Sequence, residues 1–213
     1  MLAPLLLLLA AGPTPAPAPA PGTASASAVL LRVQKAYTAS PAFVSSFVQA
    51  YAPSGFPETS PETGKLVLQA PNLVRFDYDG REGKVFTFDG HAARQYVAQD
   101  KQVIVKTLTA DDKLRLPLLF FESPEAILLR FDAVVKGADN GLTEVALTPK
   151  SGDEPKKLVL LTDAGGDVKR LVVLDGSGNR TTFHFTQRTA VSKARPASDF
   201  ALVPPPGTKV ITE

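Results

Sequence analysis

From residue 42 onward the chain alternates apolar and polar positions every second residue, and helical spacing is confined to two places. AFVSSFVQAY puts Phe43, Phe47 and Tyr51 at even offsets with Gln49 on the same side, the mark of a strand. Leu66, Leu68 and Ala70 share one face of the next strand. After Pro71-Asn72, Val74, Phe76 and Tyr78 share another, with Arg75, Asp77 and Asp79 opposite. Residues 84–88, 92–97 and 102–108 continue a meander punctuated by Asp79-Gly80 and Asp89-Gly90. Strands resume as TEVALTPK, KKLVLLTD, DVKRLVVLD and RTTFHFTQ, joined by the Gly- and Asp-rich turns GDEP, AGGD and GSGN. DFALVPPPGTKVITE ends the chain in a Pro-rich loop and one edge strand.

Two stretches read as helix. Val29, Leu30, Val33 and Tyr37 in residues 28–39 form one apolar stripe, stopped by Pro41. Asp111-Asp112 opens a dense apolar segment in which Pro117 breaks the pattern. This gives a short helix or turn over Pro117 to Phe121, then a helix capped by Ser123 with Pro124 and Glu125 in its first turn. Ile127, Leu128 and Phe131 fall on its stripe. So long a sheet with so few helices should curl and leave an apolar concavity.

The first 28 residues stand apart. MLAPLLLLLAA is too short to span a bilayer, which needs roughly 20 apolar residues. It suits the core of an export signal, although no Lys or Arg precedes Leu5; a disordered apolar tail is the alternative. GPTPAPAPAPG follows as extended linker. Cleavage motifs at Ala24-Ser25-Ala26 and Ala26-Ser27-Ala28, and the alanines at 10 and 11, leave the cleavage site open. Residues 29–213 then make a single domain with a sizeable core.

Composition mainly excludes. With 23 basic and 21 acidic residues among 213, there is no basic footprint for nucleic acid. No cysteine is present, so there is no disulfide, thiolate nucleophile, Cys-based zinc site or lipid-modified N-terminal cysteine. His91 and His184, the only histidines, have no metal-ligand spacing and read as structural. Neither a phosphate-binding Gly-rich motif nor a nucleophile elbow occurs, so neither catalysis nor a cofactor is expected.

Several landmarks then align in order: Phe43, Phe47 and Gln49; Gly64, Pro71-Asn72 and Phe76; Asp89-Gly90, Tyr96 and Gln102; Leu147-Thr148-Pro149-Lys150; and Phe200, Pro204-Pro205, Gly207 and Val210. In these the chain resembles the LolA-type family of periplasmic carriers of outer-membrane lipoproteins, over nearly the whole of residues 29–210. The resemblance implies a mainly β fold with some α, an unclosed antiparallel β half-barrel covered by a few helices around an apolar cavity. It implies acylated lipoproteins as cargo, a lipoprotein-releasing transporter in the inner membrane as donor, and an outer-membrane acceptor lipoprotein. A soluble periplasmic monomer is expected, with neither cofactor nor metal. The expected acyl cavity is lined by Leu66, Leu68, Val74, Phe76, Tyr78, Tyr96, Leu118, Leu119, Phe121, Leu128 and Phe131. Two positions depart from the family pattern. Ala70 stands where an arginine usually latches the lid helix, and Arg94 stands where tryptophan is common. A lipoprotein-sensing protein or periplasmic adaptor of the same fold is the alternative.

The physics of carriage agrees. Each buried methylene is worth about 0.8 kcal/mol, so acyl chains cannot stay in water. Net noncovalent affinity saturates at roughly 20 kcal/mol, and a carrier must also let go. A loosely filled apolar interior with a movable cover serves both needs.

Overall fold

The computed structural model describes residues 25–80, 83–108, 117–137, 140–152 and 155–212. The export segment, the Pro/Ala linker and Asp111-Asp112 lie outside the described residues. Twelve strands form one sheet: β1 (Ala42–Ala52), β2 (Glu62–Gln69), β3 (Leu73–Tyr78), β4 (Val85–Phe88), β5 (Ala92–Val97), β6 (Gln102–Thr107), β7 (Phe131–Gly137), β8 (Thr143–Pro149), β9 (Lys157–Thr162), β10 (Val168–Leu174), β11 (Arg180–Val191) and β12 (Lys209–Thr212). Their order is β12-β6-β5-β4-β3-β2-β1-β11-β10-β9-β8-β7, and β12 and β7 are unjoined edges. All pairings are antiparallel except β12 on β6. The sheet is thus the expected unclosed half-barrel.

One row of residues runs across its concave face. Paired residues in a sheet point the same way, so register fixes the row. Phe43, Leu68, Val74, Phe88 and Ala93 are linked in sequence from β1 to β5. On the other side, Phe183, Leu171, Leu160 and Val145 are linked from β11 to β8. All of them belong to one buried cluster. At Gly64 a Cβ would run into the Asp77 carbonyl and lie 2.8 Å from the Phe47 ring. Its lack of a side chain therefore lets Phe47 lie across β2.

Helix α1 (Ala26–Thr38) begins two residues before the expected start, because Ser25 Oγ caps it by accepting from the Ala28 N–H at 3.2 Å. Val29, Leu30, Val33 and Tyr37 are its buried stripe, as the spacing predicts. A 3-10 turn follows the meander at Pro117–Phe121, then α2 (Pro124–Arg130), with Ser123 as the expected cap. Here the structure corrects the sequence reading. Phe131 is not on the helical stripe; the helix stops at Arg130 and Phe131 opens β7, an unanticipated strand.

The convex face of β2–β6 is covered by the chain after β11. Gln69 accepts from the Arg195 N–H at 2.6 Å and donates to its carbonyl at 3.2 Å. Arg75 Nη1 donates to the Asp199 carbonyl at 2.9 Å. Phe200 is fully buried in this segment, as are Thr87 and Val103 of β4 and β6. The strap ends in β12, which closes the β6 edge.

Candidate functional site

The concavity is the candidate site, and its cover is α1 with the 3-10 turn and α2. Leu66, Leu68, Val74 and Phe76 project from β2 and β3 into the interior and are nearly or fully buried. Leu118, Leu119 and Phe121 sit in the 3-10 turn above them, and Phe131 at the start of β7; all are buried in the same cluster. Tyr78 and Leu128 are half-buried against its margin. Tyr96 is elsewhere. It pairs with Val85 and Val103, and Val85 with Asp77, so its side chain lies on the convex face. The period-2 pattern of β5 places Ala93 and Gln95, not Tyr96, on the concave side.

Among the described residues the apolar concavity expected from the sequence is filled by the protein's own rings. Phe120, absent from the expected lining, is wholly buried between Tyr37 of α1 (ring centroids 4.8 Å apart) and Phe185 of β11 (6.2 Å). Phe47 meets Phe76 edge-on at 5.2 Å, and Phe183 stacks on Phe185 at 6.0 Å. Among Tyr37, Phe43, Ser45, Leu66, Leu68, Phe120, Phe185 and Arg188 a gap of only about 10 Å³ remains, the room of about one water molecule. Ligand pockets usually span roughly 300–1,000 Å³.

What holds the cover is a device the sequence reading missed. Against β1, β11 carries one extra residue between Thr186 and Thr189, and Gln187 there has φ 55°. This bulge reverses the alternation after Phe185, so Arg188 rather than Gln187 turns inward. Arg188 Nη1 donates to the Ala36 carbonyl near the end of α1 at 3.0 Å. Its guanidinium lies 4.8 Å from the Tyr37 ring centroid and 4.6 Å from that of Phe43. Nε lies 2.7 Å from Asp167 Oδ1, but its N–H has no acceptor in line, so that contact is ionic. Tyr37 Oη donates to the same oxygen at 3.3 Å. Burial, followed by the Asp167 charge, pushes the Tyr37 hydroxyl pKa far up and keeps it a donor.

Asp167 ends the β9–β10 turn, which packs under α1. A Cβ on Gly166 (φ 88°) would strike the Arg32 backbone, so only glycine allows the helix this close. Asp163 Oδ1 organises the turn by accepting from the N–H groups of Gly165 (3.0 Å) and Asp167 (2.9 Å). Ala70 is only partly buried against the core.

On the convex side, Arg94 pairs with Asp89, which also accepts from the His91 and Ala92 N–H groups. Burial by itself lowers the His184 pKa, and nearby Arg170 adds to this. Among the described residues no group of acidic residues and histidines could hold a metal ion, and no helix is long and apolar enough to cross a membrane.

Comparison with known proteins places this geometry. The family described as outer membrane lipoprotein carrier protein LolA matches residues 39–201. An outer-membrane lipoprotein carrier protein of Pseudomonas syringae pv. syringae is 26% identical over 182 residues, covering 85% of this chain and 87% of that one. The protein of the same name from Pseudomonas fluorescens Pf-5 is 29% identical over 150 residues, 70% of this chain and 72% of that one. Among solved structures, an uncharacterized conserved protein of Thermus thermophilus superposes with TM-score 0.53 at 11% identity. That superposition covers 87% of this chain and 98% of the other, and it shows a shared fold.

Proposed function

The chain belongs to the LolA family of outer membrane lipoprotein carrier proteins, and from that premise we propose that it is a soluble periplasmic carrier whose interior receives lipoprotein acyl chains. The observation that carries this reading is the origin of the filling. The concave wall is sheet, but the plug of Leu118, Leu119, Phe120 and Phe121 comes from a five-residue turn packed between α1 and β3. Lifting that turn with α1 and α2 would expose an apolar wall without breaking a strand pairing. The side chains that now fill the interior would be exchanged for acyl chains of similar chemistry. The free-energy difference between states stays small, which suits a protein that must both load and unload.

In this reading Arg188 takes the place of the latch missing at Ala70. It ties α1 to the sheet through Ala36 and Asp167, and loading requires those contacts to break. Cargo would come from a releasing transporter in the inner membrane and pass to an acceptor at the outer membrane, with no nucleotide used by the carrier itself.

The test is mass spectrometry of organic extracts and intact complexes from protein purified without detergent out of a native envelope. Acylated polypeptides are the expected cargo. Their consistent absence would overturn the carrier reading. Hydrogen exchange in residues 117–131 should change on loading; identical exchange with and without cargo would rule out this cover.

A further inference from the structure

At the end of the sheet away from Tyr37 and Arg188, the concave wall turns polar. Gln49 continues the inward row of β1 beyond Phe47, Tyr78 ends that of β3, and Gln95 lies across β4 from Phe86. With Lys84 they line an open recess of about 180 Å³. From Phe43 to Gln49 is six residues of strand, roughly 20 Å of apolar wall before this mouth.

The charged and hydroxyl groups of the mouth are already paired. Tyr78 Oη donates to Gln49 Oε1 at 2.5 Å, which occupies that acceptor. Lys84 Nζ holds both Glu62 oxygens at 2.6 and 2.7 Å and sits 3.9 Å from the Tyr78 ring centroid. The charges there cancel and the carboxylate is occupied. The side-chain amide nitrogens of Gln49 and Gln95 have no protein acceptor among the described residues. The unpaired groups of the recess are therefore neutral amides, whose N–H groups can donate. Directly beneath it the Phe47 ring lies 5.0 Å from Tyr78.

Such a surface fits a molecule that bears hydrogen-bond acceptors at the point where its apolar part ends. A carboxylate or phosphate is disfavoured, because Glu62 already neutralises Lys84 and would repel a second anion. A neutral carbonyl meets no such cost. We propose that this mouth is the subsite for the ester and amide carbonyls that join acyl chains to the cargo's N-terminal residue. The proposal rests on the carrier reading and adds to it a specificity for linkage chemistry.

The test uses the full chain, a tripalmitoylated cysteinyl peptide as probe, and an analogue of it with ether and N-alkyl links in place of the carbonyls. Gln95→Leu alters a side chain at the rim, and Gln49→Leu tests the second amide. Each should weaken binding of the acylated peptide about three- to tenfold, the worth of one net hydrogen bond, and leave the ether analogue unaffected. Equal loss for both probes, or no loss for either, overturns the subsite while leaving the carrier reading intact. Failure of the unaltered protein to bind either probe would overturn the carrier reading itself, and this subsite with it.

Discussion

Arg188 on the last long strand donates to the carbonyl of Ala36 on the first helix, 152 residues earlier in the chain, at 3.0 Å. A single bulge makes this possible, since regular alternation would have sent Arg188 to the convex side. The same guanidinium lies over Tyr37 and Phe43 and against Asp167, so one side chain joins helix, sheet and turn.

Replacing it should therefore free the helix specifically. Arg188→Met is expected to lose about 2 kcal/mol, the value of a hydrogen bond to a charged group, and to speed hydrogen exchange in residues 26–38 far more than in β3–β5. Arg188→Lys should restore little, because an ammonium cannot lie flat on two rings while reaching Ala36. Rescue by lysine would show that charge alone is at work.

The turn beneath α1 gives a pH dependence with a definite sign. Burial raises the Asp163 pKa, but the Asp167 N–H, Lys169 and the Gly165 N–H outweigh it and hold the carboxyl below its ordinary 3.8. Stabilisation from a depressed carboxyl is complete above the unfolded value and is lost as pH falls through the folded one. Protection of α1 should hold down to about pH 4 and weaken below it. Asp163→Asn should weaken the helix at neutral pH and flatten that acid dependence, as followed by exchange from pH 6 to 2.5.

Phe120 separates stability from capacity. Phe120→Ala should cost about 3–5 kcal/mol through the cavity it leaves, and Phe120→Leu considerably less. Both should increase uptake of an apolar dye or acylated peptide in the folded protein, as read by fluorescence. A destabilised variant with unchanged uptake would show that the plug does not occupy the loading path.

Gly64→Ala should fail for a purely steric reason, since the added methyl meets the Asp77 backbone and the Phe47 ring. A drop in thermal midpoint of several degrees is expected, with Gly137→Ala as a control, because no atom lies within 4 Å of a Cβ there.

Tyr78 and Tyr96 look alike in sequence, but register puts them on opposite faces. Tyr78→Leu should alter binding of acylated peptide by breaking the bond to Gln49. Tyr96→Leu should leave it unchanged, which the same titration checks.

Much of this was legible in the chain. Alternation along β3 and β11, and apolar residues at even offsets in β1, mark strands with one apolar face because successive residues of a strand point opposite ways. The Ser123 cap and the Gly-Asp turns are equally local, set by a few backbone bonds, whereas the Ser25 cap that starts α1 two residues early went unread. Order in the meander follows from its short connections, which leave a strand little choice of neighbour. What needed the tertiary structure depends on register or on distance. The bulge at Gln187 changes no residue type, yet it turns Arg188 inward. The pairing of Tyr96 with Val103 decides its face. The end of α2 at Arg130 is set by Phe131 joining a sheet whose partner strand comes later in the chain. Whether the concavity stands open or filled was decided by Phe120 meeting rings from both ends of the chain, because packing brings together residues that no local pattern connects.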